Sequence, residues 1–196
     1  NHVHFNIEFP GIKSYYHPLI DIGLGWDESD TPSLGVVQAV AEDPSVTIPI
    51  LTHYAGAGTM TENPYAGISS PLLLGKLCRL AGADAGMFSS AYSTYPLMRD
   101  KYLRTAQFQH LPLYNLKPTL TSVGGGIHPA SAVRIIEDLG YDVMLAVGGA
   151  IQGHPGGAAA GGRAMRLAID AVMEGIPLSE QAKRHPELAQ ALAVWG

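Results

Sequence analysis

Short apolar runs alternate with longer stretches of helical periodicity along most of this chain. Five β-prone segments are predicted to be strands: His2–Ile7, Thr47–His53, Ala83–Phe88, Thr119–Val123 and Val143–Val147. Helical patterns lie between and after them, at Leu34–Ala41, Pro71–Ala81, Pro96–Gln107, Ala130–Leu139, Gly161–Glu174 and Ser179–Val194. Alternation of strands and helices at this spacing is typical of parallel strands joined by crossover helices. The pattern therefore predicts an α/β fold with about five β/α units.

The pattern is irregular in one long segment and clearly amphipathic in one helix. Segment 9–33 is rich in Pro, Gly, Tyr and Asp, has no clear period, and is long for a connection inside a compact domain. We interpret it as a loop or an insertion. In the helix predicted for Pro71–Ala81, the leucines are expected to face the core, with Lys76 and Arg79 on a solvated face.

Two of the predicted strands end at glycine clusters. Thr119–Val123 is followed by Gly124, Gly125 and Gly126, and Val143–Val147 is followed by Gly148 and Gly149. Glycines at such a turn let the backbone approach a phosphate, and the free amides before a helix favour an anion. Two such turns in succession predict one phosphate group held between the ends of two neighbouring parallel strands.

This arrangement is compatible with two architectures: an open doubly wound sheet, or part of an eight-stranded α/β barrel. Barrels often build a phosphate site from the loops after their last two strands. Here the glycine turns follow the last two predicted strands, which favours the barrel. A full barrel needs about 250 residues, so a chain of 196 residues is expected to lack the first strands.

Composition excludes several classes of protein. With a net charge of −5 and no run of Lys or Arg, the chain offers no surface for nucleic acid. No apolar run reaches about 18 residues, so no membrane-spanning segment is expected. Cys78 is the single cysteine, which excludes an internal disulfide and fits a reducing cytoplasm. The chain begins at Asn1 without methionine or a signal-like segment, which suggests a truncated product.

The run from Gly124 to Ala171, GGGIHPASAVRIIEDLGYDVMLAVGGAIQGHPGGAAAGGRAMRLAIDA, resembles the C-terminal barrel of the RuBisCO large-chain superfamily. AEDPSVTIPILTH, GISSPLLLGKLCRLAGAD and the closing Trp195-Gly196 extend the resemblance to roughly residues 34–196. Within that superfamily the pattern is most similar to the RuBisCO-like proteins. The resemblance implies that the chain is the C-terminal portion of a RuBisCO-type (β/α)8 barrel. It implies that the N-terminal α/β domain and the first barrel strands are absent.

The resemblance also implies a role for particular residues. The glycines at 124, 125, 126, 148 and 149 match the family's phosphate-binding backbone, although Gly124 stands where true carboxylases have a serine. His53 matches a strand-end histidine that contacts the substrate or its phosphate. His128 and His154 each precede a proline, which favours a structural role at a helix entry. His154, in GHPGG, is also a candidate for lining the phosphate site.

The family binds Mg²⁺ through a carbamylated lysine and two acidic residues that would precede His2 in this register. No metal ligand and no catalytic base can therefore be assigned in this chain. The segment Ser89–Tyr95 contains no lysine, whereas carboxylating members have an essential one there, which argues against CO2 fixation. The complete protein is expected to be a cytoplasmic homodimer that acts on a phosphorylated small molecule.

The function implied is enolisation of a phosphorylated diketone in methionine salvage, 2,3-diketo-5-methylthiopentyl 1-phosphate. Three alternatives remain: a 5-methylthioribulose-1-phosphate isomerase, a true carboxylase, and a non-catalytic fragment that only binds phosphate or a partner.

We expect the 196-residue polypeptide alone to have no enolase activity, because the residues that bind the metal and transfer the proton lie outside it. An assay of Mg²⁺-dependent enolisation by the purified polypeptide tests this expectation. Measurable turnover would contradict it.

Overall fold

A computed structural model describes residues 20–23, 33–62, 65 and 67–196. Its five strands are β1 (Ile20–Gly23), β2 (Ile50–His53), β3 (Ala85–Ser89), β4 (Leu120–Gly124) and β5 (Val143–Leu145). The first helices are α1 (Ser33–Glu42), α2 (Gly58–Thr61), a π-helical segment (Pro71–Leu77) that continues as α3 (Cys78–Leu80), and α4 (Arg99–His110). The others are α5 (Pro129–Leu139), α6 (Gly149–Gln152), α7 (Ala158–Glu174), α8 (Leu178–Arg184) and α9 (Pro186–Trp195).

The strands follow one another in the sheet in the order of the chain, from β1 to β5. β1 and β2 are parallel, with Ile20 opposite Ile50, and β2 and β3 are parallel, with Leu51 opposite Ala85. Each pair is connected through a helix, as parallel neighbours require. The predicted α/β alternation is therefore confirmed for the described residues.

The first strand differs from the one that the pattern predicted. β1 lies inside segment 9–33, which we interpreted as a loop or insertion, whereas the predicted strand His2–Ile7 lies outside the described residues. A strand of four residues has too little local pattern to be recognised in sequence. β1 is a strand because its residues pair in parallel with those of β2.

Helix boundaries also changed where tertiary contacts decide them. α4 begins three residues later than predicted, because the segment before it turns back and Leu97 donates its backbone N–H to the Ser90 carbonyl at 3.2 Å. The helix predicted for Ser179–Val194 is two helices, α8 and α9, separated at His185. Pro186 supplies no N–H to continue α8 and instead takes the first position of α9.

The chain divides into two compact units. The first comprises Asn1–Phe88 and Arg104–Thr121, and the second comprises Ser89–Leu103 and Ser122–Gly196. In the first unit the apolar side chains of Val37, Ile50, Leu51, Leu73 and Phe88 are buried. β2 is buried at three successive positions, Ile50 to Thr52, as expected for a parallel strand covered on both faces.

In the second unit, α7 packs against α5 and α9. The face it buries consists mainly of small residues, Ala160, Gly161, Ala164, Ala168 and Ala171. Recurrence every three or four positions places them on one side of the helix, and small side chains allow close approach of its neighbours. Leu188 and Ala191 of α9 are fully buried.

The π-helical segment of the first unit is fixed by close packing. Cys78 donates its N–H to the Leu73 carbonyl, five residues earlier, which defines the wider turn. A Cβ at Gly75 would lie 2.6 Å from the Phe108 Cβ, so only glycine permits this approach of α4. Arg79, expected on a solvated face, is instead 4% exposed. It donates to the backbone carbonyls of Leu111, Leu116 and Lys117, and these bonds compensate for burial of its charge.

Gln109 of α4 is fully buried and joins three elements of the first unit. Its Nε2 donates to the Leu74 carbonyl at 3.2 Å and to the Gly86 carbonyl at 3.1 Å. Its Oε1 accepts from the Thr121 hydroxyl at 2.7 Å. A single side-chain amide thus hydrogen-bonds to the π-helical segment, to β3 and to β4.

Replacing Gln109 with leucine is expected to lower the free energy of unfolding by about 2–4 kcal/mol, because the Leu74 and Gly86 carbonyls lose a donor and the Thr121 hydroxyl loses an acceptor. Gln107→Leu is the matched control, since Gln107 lies on the exposed face of the same helix. Urea unfolding followed by circular dichroism measures both variants. Equal midpoints for the two variants would show that the buried amide is unimportant.

Candidate phosphate-binding site

Both glycine turns lie in the second unit, at the ends of adjacent strands. Ala146, directly after β5, donates its backbone N–H to the Val123 carbonyl in β4 at 2.8 Å. Val123 immediately precedes Gly124, and Ala146 is two residues before Gly148. This hydrogen bond therefore sets the start of one turn beside the start of the other, as the sequence predicted.

The first turn requires glycine for conformational and packing reasons. Gly125 and Gly126 have φ values of 91° and 78°, in the left-handed region that side chains disfavour. A Cβ at Gly126 would clash with the Thr94 hydroxyl oxygen and lie 3.3 Å from the Thr94 amide nitrogen. Thr94 donates its backbone N–H to the Gly125 carbonyl at 3.1 Å. At this turn, close packing accounts for at least one of the glycines.

The second turn has no such packing reason. Gly148 and Gly149 are exposed, and a Cβ at either position would meet no atom within 4 Å. Neither residue has a positive φ. Open space beside two successive glycines leaves their amides accessible, which is what a phosphate contact needs.

The amides themselves are available. Among the described residues, none accepts a hydrogen bond from the N–H of Gly125, Gly126 or Gly148. Gly149 is the first residue of α6, so its N–H has no acceptor within that helix. Several unpaired N–H groups near two strand ends form a region of positive potential that favours an anion.

His53 belongs to the first unit. It ends β2, is half-buried, and stacks on Tyr54 with ring centroids 4.7 Å apart. Its Nδ1 accepts the Ala55 N–H at 2.9 Å, so in the neutral ring the proton is on Nε2. No acceptor for Nε2 occurs in the part of the chain that the structure describes. His53 can therefore act as a hydrogen-bond donor.

The other two histidines singled out from the sequence have structural roles. His154 is 4% exposed, and both ring nitrogens are used: Nδ1 accepts from the Gly156 N–H, and Nε2 bonds to the Glu187 carbonyl, each at 2.9 Å. With both nitrogens occupied, His154 has no donor left for a ligand. His128 caps α5, where its Nδ1 accepts from the Ser131 N–H and the Ser131 hydroxyl accepts from the His128 N–H.

The acidic side chains that the structure describes do not form a metal site. Within residues 20–23, 33–62, 65 and 67–196, no group of three or more His, Cys, Asp or Glu side chains is close enough to hold an ion. Asp84 accepts the Ile50 N–H at 2.9 Å and so links the starts of β2 and β3. Burial raises the pKa of the Cys78 thiol to about 11, and its Sγ lies 3.1 Å from the Leu73 carbonyl. The described residues therefore do not fit a Mg²⁺ ion.

Sequence reasoning missed two residues near the first turn. Thr94 contacts Gly125 and Gly126, and Asp138 binds two residues of the segment that contains Thr94. Neither position has a motif, because these contacts join residues more than 30 positions apart.

The chain has the strand order and helices of a barrel-type α/β protein, with glycine turns after its last two strands. The catalytic-domain model of the ribulose bisphosphate carboxylase large chain matches residues 34–195. The chain therefore belongs to the RuBisCO large-chain family, and it corresponds to a C-terminal portion of the RuBisCO-type barrel. The resemblance and the fold class inferred from sequence are confirmed.

Three relatives illustrate the match. The 2,3-diketo-5-methylthiopentyl-1-phosphate enolase of Bacillus licheniformis is 44% identical over 164 residues, which are 83% of this chain and 40% of that protein. A RuBisCO-like protein (MtnW) of Alicyclobacillus acidocaldarius has a TM-score of 0.77 at 45% identity, covering 83% of this chain and 41% of that one. A dimeric archaeal Rubisco from Hyperthermus butylicus has a TM-score of 0.71 at 32% identity, covering 84% and 40%. The chain thus spans about two fifths of the length of these relatives.

Acidification is expected to weaken the cap of α5. Burial and, to a smaller extent, the charge of Arg134 lower the pKa of His128 below its ordinary value of 6.5. The unfolded chain then binds more protons than the folded one between the two pKa values, so stability falls as pH drops below about 6.5 through the folded pKa.

His128→Asn tests this, because asparagine caps helices well and does not titrate in this range. NMR titration of His128 should give a midpoint below 6.5, and the variant should lose less stability than the wild type between pH 7 and pH 5. An identical loss in both proteins would contradict the prediction.

Proposed function

We propose that the turns at Gly124–Gly126 and Gly148–Gly149 bind the phosphate group of a small phosphorylated substrate. The single observation that supports this most strongly is the open space at Gly148 and Gly149, which no packing requirement explains. The unpaired amides and the hydrogen bond between Ala146 and Val123 add to it. Backbone amides recognise a phosphate without needing a charged side chain.

For the complete protein we propose a RuBisCO-like enolase that acts on 2,3-diketo-5-methylthiopentyl 1-phosphate. The support is the 44% identity to the Bacillus licheniformis enolase together with the lysine-free segment Ser89–Tyr95. In this proposal the glycine turns anchor the phosphate of the substrate. The contact of His53 with the substrate stays a prediction from the sequence. Removal of the α-proton, and binding of the Mg²⁺ that the family implies, belong to residues outside the described part of the chain.

The cellular setting is part of the same proposal. No helix among the described residues has the length and apolarity needed to cross a bilayer. We propose a cytoplasmic enzyme that assembles as a homodimer, as the Rubisco of Hyperthermus butylicus does. A free, buried Cys78 fits a reducing compartment.

A second candidate is a partial barrel that binds phosphate without catalysis. The observation that favours it is the lack of a metal-binding cluster in the described ranges. Comparing the longest product of the gene with the 196-residue chain separates the two candidates. Turnover of the diketone phosphate by the longer product supports the enolase. Turnover of 5-methylthioribulose 1-phosphate would support the isomerase instead, and fixation of CO2 onto ribulose bisphosphate would support the carboxylase.

Phosphate binding can be tested in the 196-residue chain by following its amide NMR signals during titration with inorganic phosphate. We expect the signals of Gly125, Gly126, Gly148 and Gly149 to move together. Gly148→Asp should weaken binding by roughly tenfold or more, because a carboxylate placed in the open space repels the anion.

Gly35→Asp is the matched control. It introduces the same charge at another glycine where a Cβ meets no atom within 4 Å, in α1 of the first unit. The control should bind phosphate as the wild type does. Equal weakening in both variants would indicate a general charge effect and overturn the assignment of the site.

A further inference from the structure

One carboxylate bonds to two residues of the segment Ser89–Leu103 in the second unit. The side chain of Asp138, in α5, is only 9% exposed, although it lies near the end of a surface helix. Its Oδ2 accepts from the Tyr92 hydroxyl at 2.9 Å, and its Oδ1 accepts from the Arg99 guanidinium at 2.6 Å. Both donors belong to the segment, one on each side of Thr94, so Asp138 anchors it at two points. We call this segment the strap.

Tyr92 is fixed by further contacts. Its ring meets the Tyr102 ring edge to face, with centroids 6.4 Å apart, and the Arg134 guanidinium lies 5.7 Å from its centroid. These contacts are made by residues of the second unit alone. A ring held on several sides transmits its position to the backbone that bears it.

The strap between Tyr92 and Thr94 is a tight turn. Tyr92 donates its N–H to the Ser90 hydroxyl at 3.0 Å, and the Ser93 hydroxyl donates to the Ser90 carbonyl at 2.9 Å. Thr94 follows directly, and its N–H bonds to the Gly125 carbonyl. Tyr92 and Thr94 therefore lie two residues apart in one turn that local hydrogen bonds constrain.

The Thr94 bond fixes one peptide of the first glycine turn. The peptide between Gly125 and Gly126 is trans, so its carbonyl oxygen and its N–H point to opposite sides. With the oxygen bound to Thr94, the Gly126 N–H is directed away from the strap and keeps no partner among the described residues. Glycine pairs flip easily between conformations, so an external hydrogen bond is needed to hold this donor in one orientation.

We propose that Asp138 is a positioning residue for the phosphate site. It acts through Tyr92 and Thr94 to hold the Gly126 N–H ready for an anion. The proposal rests on the proposed function of the glycine turns, and it adds a requirement that no motif in the sequence indicates. Binding then avoids the cost of ordering the peptide when the anion arrives.

The test uses the 196-residue chain with inorganic phosphate as the probe. Asp138→Ala removes both acceptors, Tyr92→Phe removes one donor, and Asp138→Asn keeps an acceptor oxygen but not the charge. We expect phosphate affinity to fall by roughly 2- to 10-fold in Asp138→Ala, as loss of one hydrogen bond allows. Asp138→Asn should bind with intermediate affinity.

Hydrogen exchange at the Thr94 amide provides a readout that is independent of ligand. Exchange should be about tenfold faster in Asp138→Ala than in the wild type, because the bond to Gly125 opens more often. Asp170→Asn is the matched control, since it removes an exposed carboxylate that pairs with Arg166 within α7. The control should change neither phosphate affinity nor Thr94 exchange.

Unchanged affinity in Asp138→Ala, with faster Thr94 exchange, would overturn the positioning role while leaving the proposed function intact. If the wild type binds no phosphate, the proposed function fails, and Thr94 exchange and the Gly126 amide shift alone decide whether Asp138 fixes the peptide. If Asp138→Ala does not fold, Tyr92→Phe provides the same comparison. Wild-type behaviour of Tyr92→Phe in both measurements would also overturn the proposal.

Discussion

The backbone hydrogen bond from Ala146 to Val123 is the constraint on which the candidate site depends. It is an ordinary interaction of neighbouring strands, but it lies one residue before Gly124 and two residues before Gly148. The N–H groups of Gly125, Gly126 and Gly148, which follow it, have no partner among the described residues. The candidate phosphate site is thus made of backbone atoms that follow two neighbouring strands.

The glycines of the two turns serve different purposes. Gly126 is needed because Thr94 lies against it and because its φ is positive. Gly148 and Gly149 have neither reason, and their lack of side chains matters only to something that approaches from outside the chain. The first turn is therefore packed against another part of the chain, and the second has open space beside it. Asp138, which is remote in sequence, bonds to the strap, and the strap bonds through Thr94 to the first turn.

Buried polar side chains perform the corresponding task elsewhere in the chain. Gln109 and Arg79 each bond to several backbone carbonyls, and His154 uses both ring nitrogens. Each of them hydrogen-bonds to backbone groups of other segments, so burial of the polar group is compensated. Loops that would otherwise be loosely held become well-defined connections between elements.

The sequence by itself determined the alternation of strands and helices, the two glycine turns and the family, because period, glycine clustering and local motifs are properties of neighbouring residues. It did not reveal β1, the burial of Arg79 or the contacts of Asp138. Each of those depends on a partner far along the chain: Ile50 for β1, Leu111 for Arg79 and Tyr92 for Asp138. Only the tertiary structure decided them, since a hydrogen bond between distant residues leaves no periodic trace in either segment.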